Sequence, residues 1–283
     1  MNTREIRKRI VSIKKTQQIT KAMKMVAAVR YRKAFQNLVA NRPYRKEIEN
    51  IVSDLVSKKN DDYENAYFVS PKKTVKELLI LITSDKGFCG SFNSSLLKNC
   101  HKRLRLSGDN TDILTIGKKG KDFLSVRGYG IVAGYSGVMN NLNYASVNKI
   151  INDILTRFAS KKYKKVTIMY NEFRIVTQAT TKIFKLLPLE FDQKAAVKSE
   201  FIFEPDLKTL LEKLLPKYLS VVIYGILLES NAAEQGLRMS SMEQATKNTE
   251  EMMKRLTLQY NKVRQGNITK ELSDLVGGAA AVS

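Results

Sequence analysis

Histidine is almost missing from this chain: His101 is the only one, and cysteine is limited to Cys89 and Cys100. A zinc site with two histidines and a His-His proton relay are therefore excluded within one chain, and two thiols cannot staple a disulfide scaffold. Such sparing use of cysteine points to a reducing compartment. Long apolar runs are lacking too. None reaches the ~18 to 20 residues that span a bilayer, and the opening Met1-Asn2-Thr3-Arg4-Glu5 has no hydrophobic core of a secretory signal. The chain is expected to be soluble, held beside a membrane only through a partner. Glycine is absent before Gly87, and Glu5 is the only acid among 14 bases in the first 46 residues. That imbalance signals a polyanion or an acidic protein surface opposite the segment.

What is present is a chain of 283 residues with 49 Lys+Arg against 27 Asp+Glu, a formal charge of +22. With 43% hydrophobic residues it is globular, and long enough for one large domain or two ordinary ones. The charge is concentrated at one end: net +12 over residues 1–60, +9 over 61–204 and +1 over 205–283.

Three parts follow: a helical segment over 1–60, a globular part over 70–200 and a second helical segment over 205–283. The first helix is expected over 2–57, with Thr3 as candidate N-cap, Glu5 in the first turn and Pro43 as the only breaker. Its apolar positions fall in patches (Ile6, Ile10, Ile13; Ile19, Met23, Val26; Ala27, Tyr31, Ala34, Leu38; Ile48, Val52, Leu55) whose register changes from one to the next. The C-terminal segment is more regular. Steps of four and three run from Leu207 through Leu228, Met242 and Met253 to Val263, a coiled-coil seam interrupted by small or polar residues such as Gly225, Gln235 and Thr246. Pro205 suits a first turn, whereas Pro216 inside the pattern predicts a kink or a restart. A helix over 205–276 would extend roughly 105 Å and must project. Its simplest partner is the N-terminal helix, packed antiparallel.

The middle alternates strand and helix: strands at 75–83, 112–116, 166–170 and 180–187, helices at 92–106, 120–126 and 147–159. This order predicts a small Rossmann-like α/β domain, parallel at first and antiparallel at its end. Two glycine motifs invite a nucleotide reading. Gly117-Lys118-Lys119-Gly120 lacks the gap and the Ser or Thr of a phosphate loop, and Gly87-Phe88-Cys89-Gly90 lacks the third glycine of a dinucleotide fingerprint. No catalytic residue, cofactor or metal site is assigned. Cys100 and His101 are neighbours whose side chains diverge by about 100° on a helix, so they are taken as an incidental pair. The basic N-terminal helix, with Tyr31, Phe35 and Tyr44 interleaved, suits a nucleic acid, an acidic protein or plain solvation.

The ends carry a more specific signal. Thr16-Gln17-Gln18-Ile19-Thr20-Lys21-Ala22-Met23-Lys24-Met25-Val26-Ala27-Ala28, Ser84-Asp85-Lys86-Gly87-Phe88-Cys89-Gly90, Arg238-Met239-Ser240-Ser241-Met242-Glu243-Gln244-Ala245-Thr246 and Gln265-Gly266-Asn267-Ile268-Thr269-Lys270-Glu271 together resemble the gamma subunits of F-type ATP synthases. The resemblance implies a non-catalytic rotor shaft. Its two terminal helices would form a coiled coil inside a ring of three alpha and three beta subunits, with the α/β domain on the c-subunit ring beside epsilon. Proton flow would turn it and drive the beta sites through different affinities in sequence. It further implies that Met23 and Arg238 contact the acidic C-terminal region of beta, with Lys21, Lys24, Arg30 and Lys33 nearby. Gln265, Thr269 and Glu271 would engage the ring near its catch loops. A pairing of Arg238 with Glu234, four residues earlier, is the structural alternative. The implied location is the cytoplasmic side of a bacterial inner membrane, peripheral and without insertion, or an organelle for a mature chain. The competing reading is a basic coiled-coil protein that binds nucleic acid.

Overall fold

The computed structural model describes residues 2–58, 65, 67–71, 74–140, 142–191 and 206–282. It divides into two compact units, Met1–Ala27 with Met239–Ser283, and Ala28–Arg238. The expectation for Pro205 lies outside the described residues.

Two long helices, α1 (Thr3–Ser57) and α5 (Leu207–Val282), contribute to both units. The cap of α1 is Asn2 and not Thr3: the Asn2 side-chain oxygen accepts from the Arg4 amide, and the Asn2 amide donates back to Glu5. Asp206 caps α5, accepting from the Thr209 amide at 3.1 Å and its hydroxyl at 2.6 Å. Of the kink or restart expected at Pro216, the restart is absent: α5 runs through it unbroken. Leu211, Leu215, Tyr218 and Leu219 around it are all buried. At roughly 1.5–3 kcal/mol per buried side chain they outweigh the ~3 kcal/mol that an internal proline costs.

In the smaller unit α1 and α5 run antiparallel. Gln17 donates to Glu250, Thr20 and Thr246 share a hydrogen bond of 2.9 Å, and Lys24 pairs with Glu243 at 3.4 Å, one number rising as the other falls. The less exposed positions of α1 here include Ile6, Ile10, Ile13, Gln17, Thr20, Lys24 and Ala27, with Met23 beside Lys24; those of α5 beyond Met242 include Thr246, Thr249, Met253, Leu256, Tyr260 and Val263. The α1 seam is thus regular, and the predicted register change is corrected. Ile19 and Val26, assigned above to an apolar patch, are outside the seam at 60% and 54% exposure. Replacing Thr20 by Val removes the bond across the seam but leaves the Thr246 hydroxyl the Met242 carbonyl at 2.8 Å, so a cost of at most about 1 kcal/mol is expected, and adding Thr246→Val is expected to change it little. Thermal unfolding of the three proteins checks this.

The larger unit is a three-layer α/β domain. Its five-stranded sheet has the order β3-β2-β1-β4-β5, from β1 (Glu77–Ile82), β2 (Thr111–Ile116), β3 (Ile131–Tyr135), β4 (Lys165–Ile175) and β5 (Gln178–Leu187). The first four are parallel and β5 is antiparallel to β4. β3 was not expected: it is short, half-buried and split by Gly134, so it carries little strand signal. Between strands lie α2 (Phe92–Ser107), α3 (Lys118–Ser125) and α4 (Tyr144–Ala159), the last capped by Asn143. Every residue of β1 is buried, as a central strand covered on both faces requires. Leu78, Ile80 and Ile82 pack with α4, α1 and α5; Leu79 and Leu81 point the other way, into Leu96, Leu97, Cys100 and Leu124 of α2 and α3. Within this unit too the long helices are antiparallel, Ala34 and Leu38 meeting Leu228 and Ala232. With α1 on one side and the sheet domain on another, α5 is buried almost all round between Tyr218 and Arg238.

Candidate functional site

The conspicuous loop of the α/β domain follows β1 at the carboxyl end of the parallel strands. It is held by its own side chains. The Ser84 hydroxyl donates to the Lys86 carbonyl at 2.6 Å and accepts from Asn93 at 2.7 Å, while Asn93 accepts from the Ser84 amide. Asp85 accepts from the amides of Lys118 and Gly137, both at 3.0 Å, so one carboxylate ties the loops after β1, β2 and β3 together. The turn needs left-handed backbone at Phe88 (φ 60°) and Gly90 (φ 58°), and it presents the Phe88 ring to solvent at 71% exposure.

Arg238 closes this arrangement from α5. Its side chain is 10% exposed and pairs with Glu234 at 2.6 Å, and its remaining donors reach the carbonyls of Lys86 and Gly87 at 3.3 Å. Burial pushes the Glu234 carboxyl above its ordinary range, against the pull of Arg238. The guanidinium is therefore turned inward, and the helical pairing noted above is present. Asp85 and Asn93 were given no role of their own from sequence, and Glu234 only that of a pairing partner for Arg238. The four-residue spacing of Glu234 and Arg238 was visible, but nothing local tells that both are buried.

A Rossmann-like order would place a ligand in the crevice between β1 and β4, where successive connections leave in opposite directions. Here that place is packed: Cys89 and Phe92 cluster with Ala233 and Leu237 of α5, and Asn171 of β4 donates to the Phe92 carbonyl at 2.6 Å. The glycines of the Gly117 motif serve Thr83 instead of a phosphate, the Gly120 amide donating to the Thr83 hydroxyl at 2.8 Å. Cys100 and His101 diverge. The thiol is buried and desolvation pushes it up to about 12, while the imidazole meets the Tyr129 hydroxyl at 2.9 Å. Tyr31 and Phe35 pack against Phe173 with ring centroids 6.1 and 5.8 Å away, so these rings already serve the fold.

The other predicted contact residues lie in the smaller unit. Met23 is half-buried, Lys21 is exposed, and Lys24 is tied to Glu243. Gln265, Thr269 and Glu271 lie on the stretch 264–276 of α5, where every residue is exposed, apolar Ile268, Leu272, Leu275 and Val276 included. An amphipathic helix whose apolar side chains meet only water calls for a partner. Ile19, Met25 and Val26 form a second bare apolar stretch, on α1. Two of these three, Ile19 and Val26, were expected in the seam; between Ile13 and Ala27 it is the polar residues Gln17, Thr20 and Lys24 that mark its face. No described helix is long and apolar enough to cross a membrane.

Comparison with known proteins agrees with this geometry. The family model described as "ATP synthase" matches residues 2–282. The ATP synthase gamma chain of Chlorobium luteolum is 38% identical over 285 residues, covering 99% of this chain and 98% of its own. Among solved structures, a chain of the Tetrahymena thermophila mitochondrial ATP synthase central stalk and c-ring is similar with a TM-score of 0.62 and 29% identity, over 80% of this chain and 99% of its own. A chain of the Euglena gracilis mitochondrial ATP synthase matches in fold at a TM-score of 0.72 and 22% identity, over 99% and 94% of the two chains. Mixed sheet, antiparallel terminal helices and full-length similarity together place the chain in the ATP synthase gamma-chain family.

Proposed function

We propose that the chain is the non-catalytic central shaft through which proton flow in the membrane sector is coupled to ATP synthesis or hydrolysis at beta-type subunits. The observation that carries this reading is the bare stretch 264–276 of α5, with apolar side chains exposed on a helix that its own unit leaves uncovered. A ring of three alpha and three beta subunits supplies the cover; the α/β domain rests on the c-ring beside epsilon. The shaft is peripheral, on the cytoplasmic side of a bacterial inner membrane. Gln265, Thr269 and Glu271 meet the ring near its upper end, and Met23, Lys21 and Lys24 face the acidic moving part of beta. Arg238 acts at one remove, by fixing the loop after β1 to α5. Rotation then couples three binding equilibria through one rigid asymmetric element.

The test is the native mass of the tagged chain purified from nuclease-treated, detergent-solubilised membranes, with ATPase activity followed across the fractions. Recovery with alpha- and beta-type partners and co-migrating ATPase supports the shaft; a small particle whose mass falls with nuclease overturns it. Two substitutions grade the contacts. Lys21→Gln removes one exposed charge, worth ~0.2–1 kcal/mol, and is expected to change ATPase less than about fivefold. Ile268→Asp with Leu272→Asp removes two apolar anchors at roughly 1.5–3 kcal/mol each and is expected to release the chain from the ring at ordinary purification concentrations.

A further inference from the structure

The shaft leaves one surface of the larger unit without a task. At the amino-terminal edge of the sheet two acids face a surplus of cations: Glu77 pairs with Arg103 at 2.7 Å and Lys165 at 3.1 Å, and Asp112 with Lys76 at 3.3 Å and Lys162 at 3.4 Å. Four positive charges thus already share two negative ones. Burial alone would raise the Glu77 carboxyl, but hydrogen bonds from Thr167 and Arg103 hold it below its ordinary range, so its charge is fully spent on these partners. Lys102, Lys161 and Lys164 add to the same edge with no ion-pair partner among the described residues. The backbone holds them there: the Lys164 amide donates to the Lys76 carbonyl at 2.7 Å, and the Thr74 hydroxyl to the Lys161 carbonyl at 3.0 Å.

Two aliphatic side chains stand among these lysines in water, Val75 at 73% and Leu106 at 81% exposure. Leu106 borders an open cleft of about 420 Å³ that is also lined by Asn99, Lys102, Arg103, Ser107 and Lys165, with Glu77 as its one acid against three cations. Cations beside isolated aliphatic groups form the pattern of a surface that meets lipid headgroups, where charge attracts and short apolar side chains dip below the phosphates. A nucleic acid would ask for exposed rings, yet Tyr163, the aromatic residue of this edge, is fully buried with its hydroxyl on Asp112. We propose that the amino-terminal edge of the sheet docks on anionic phospholipid headgroups, with the Lys102–Arg103–Lys165 cleft taking a phosphate and Leu106 entering beside it. The proposal rests on the shaft reading, which puts this unit beside a membrane.

The full chain is sedimented with phosphatidylcholine vesicles with and without phosphatidylglycerol. A lysine near an anionic surface is worth about fivefold in affinity, so Lys102→Gln/Lys161→Gln/Lys164→Gln is expected to lose more than tenfold on the anionic vesicles. Lys8→Gln/Lys14→Gln/Lys15→Gln, which removes equal charge from α1, is expected to lose less than about threefold. Leu106→Ser keeps every charge, and a severalfold loss there is expected whether or not the triple variant folds. Equal losses in the two triple variants, or no effect of Leu106→Ser, would reduce the attraction to net charge and overturn the proposal. So would full displacement by soluble glycerol 3-phosphate, which would mark a small-anion site, or retention of RNA in preference to vesicles. Failure of the edge variant to co-purify with the ATPase would assign these lysines to a protein interface and overturn it as well. Absence of the wild-type chain from any ATPase assembly would sink the shaft reading instead, while the vesicle comparison still decides the lipid contact.

Discussion

Arg238→Ala is expected to lower the stability of the chain by about 3–5 kcal/mol, read as a lower urea midpoint, because it leaves the Glu234 carboxylate buried and without its counter-charge. It also removes the donors that hold the carbonyls of Lys86 and Gly87 to α5. Hydrogen exchange at the amides of the loop after β1 should therefore quicken more than exchange in β1 itself. The double variant Arg238→Ala/Glu234→Gln separates charge from packing. A neutral amide needs no counter-ion, so the double variant should recover part of the loss; a double variant as unstable as the single would mean that packing alone matters.

The same variant has a signed pH dependence. In the folded chain the Glu234 carboxyl titrates above its unfolded value, chiefly through burial, so between those two values the native state holds the extra proton. The cost of ionising Glu234 is absent below the unfolded value, near 4.3, and grows as pH rises through the folded one. Without Arg238 the folded value moves higher still. The gap between wild type and Arg238→Ala should then shrink toward acid and reach its full size above the folded value. Taking the difference between the two proteins removes the opposite trend of Glu77, whose lowered value is common to both. A gap independent of pH would show that Glu234 does not carry the penalty.

Legibility from sequence followed the strength of local signals. β1 was plain because the five apolar residues 78–82 run without a polar interruption, and α4 because of its amphipathic repeat, although the Asn143 cap went unread and the helix begins three residues before the expected 147. The seam of α1 was hidden by its own chemistry. Gln17, Thr20 and Lys24 occupy inward positions and make hydrogen bonds or an ion pair across to α5, while Ile19 and Val26 face outward, so counting apolar residues picked the wrong face there, though not at Ile6, Ile10, Ile13 and Ala27. In a shaft that misreading has a cause: outward apolar residues serve a partner, not the fold. The restart expected at Pro216 is absent for a related reason. A propensity describes an isolated helix, and here the helix is enclosed by neighbours that bury its flanking leucines. The loop after β1 was legible as a motif but not as a device, since Asp85 bridging two distant amides depends wholly on tertiary placement.

The glycines that resemble a phosphate loop allow a sharper separation of causes. At Gly117 the backbone is left-handed (φ +101°), and an added Cβ would lie 2.0 Å from the Thr83 carbonyl oxygen. Positive φ alone costs a non-glycine residue ~1–3 kcal/mol, and backbone that cannot withdraw adds to it, so Gly117→Ala should lose at least about 3 kcal/mol or fail to accumulate. At Gly120 the obstacle is different: a Cβ would meet the Thr83 side chain, Oγ1 at 2.9 Å and Cγ2 at 3.0 Å. Gly120→Ala should cost about 1–3 kcal/mol, as overpacking does. Thr83→Ala removes the two nearest obstructing atoms at Gly120, leaving Leu81 Cδ2 at 3.3 Å, whereas at Gly117 it removes Oγ1 at 2.7 Å but leaves the carbonyl oxygen at 2.0 Å. It is expected to rescue part of Gly120→Ala and little of Gly117→Ala, where the carbonyl and the positive φ remain, in urea unfolding. Rescue of both would place the strain in the Thr83 side chain throughout, and rescue of neither would mean that the Gly120 amide bond to Thr83 matters more than the space around it.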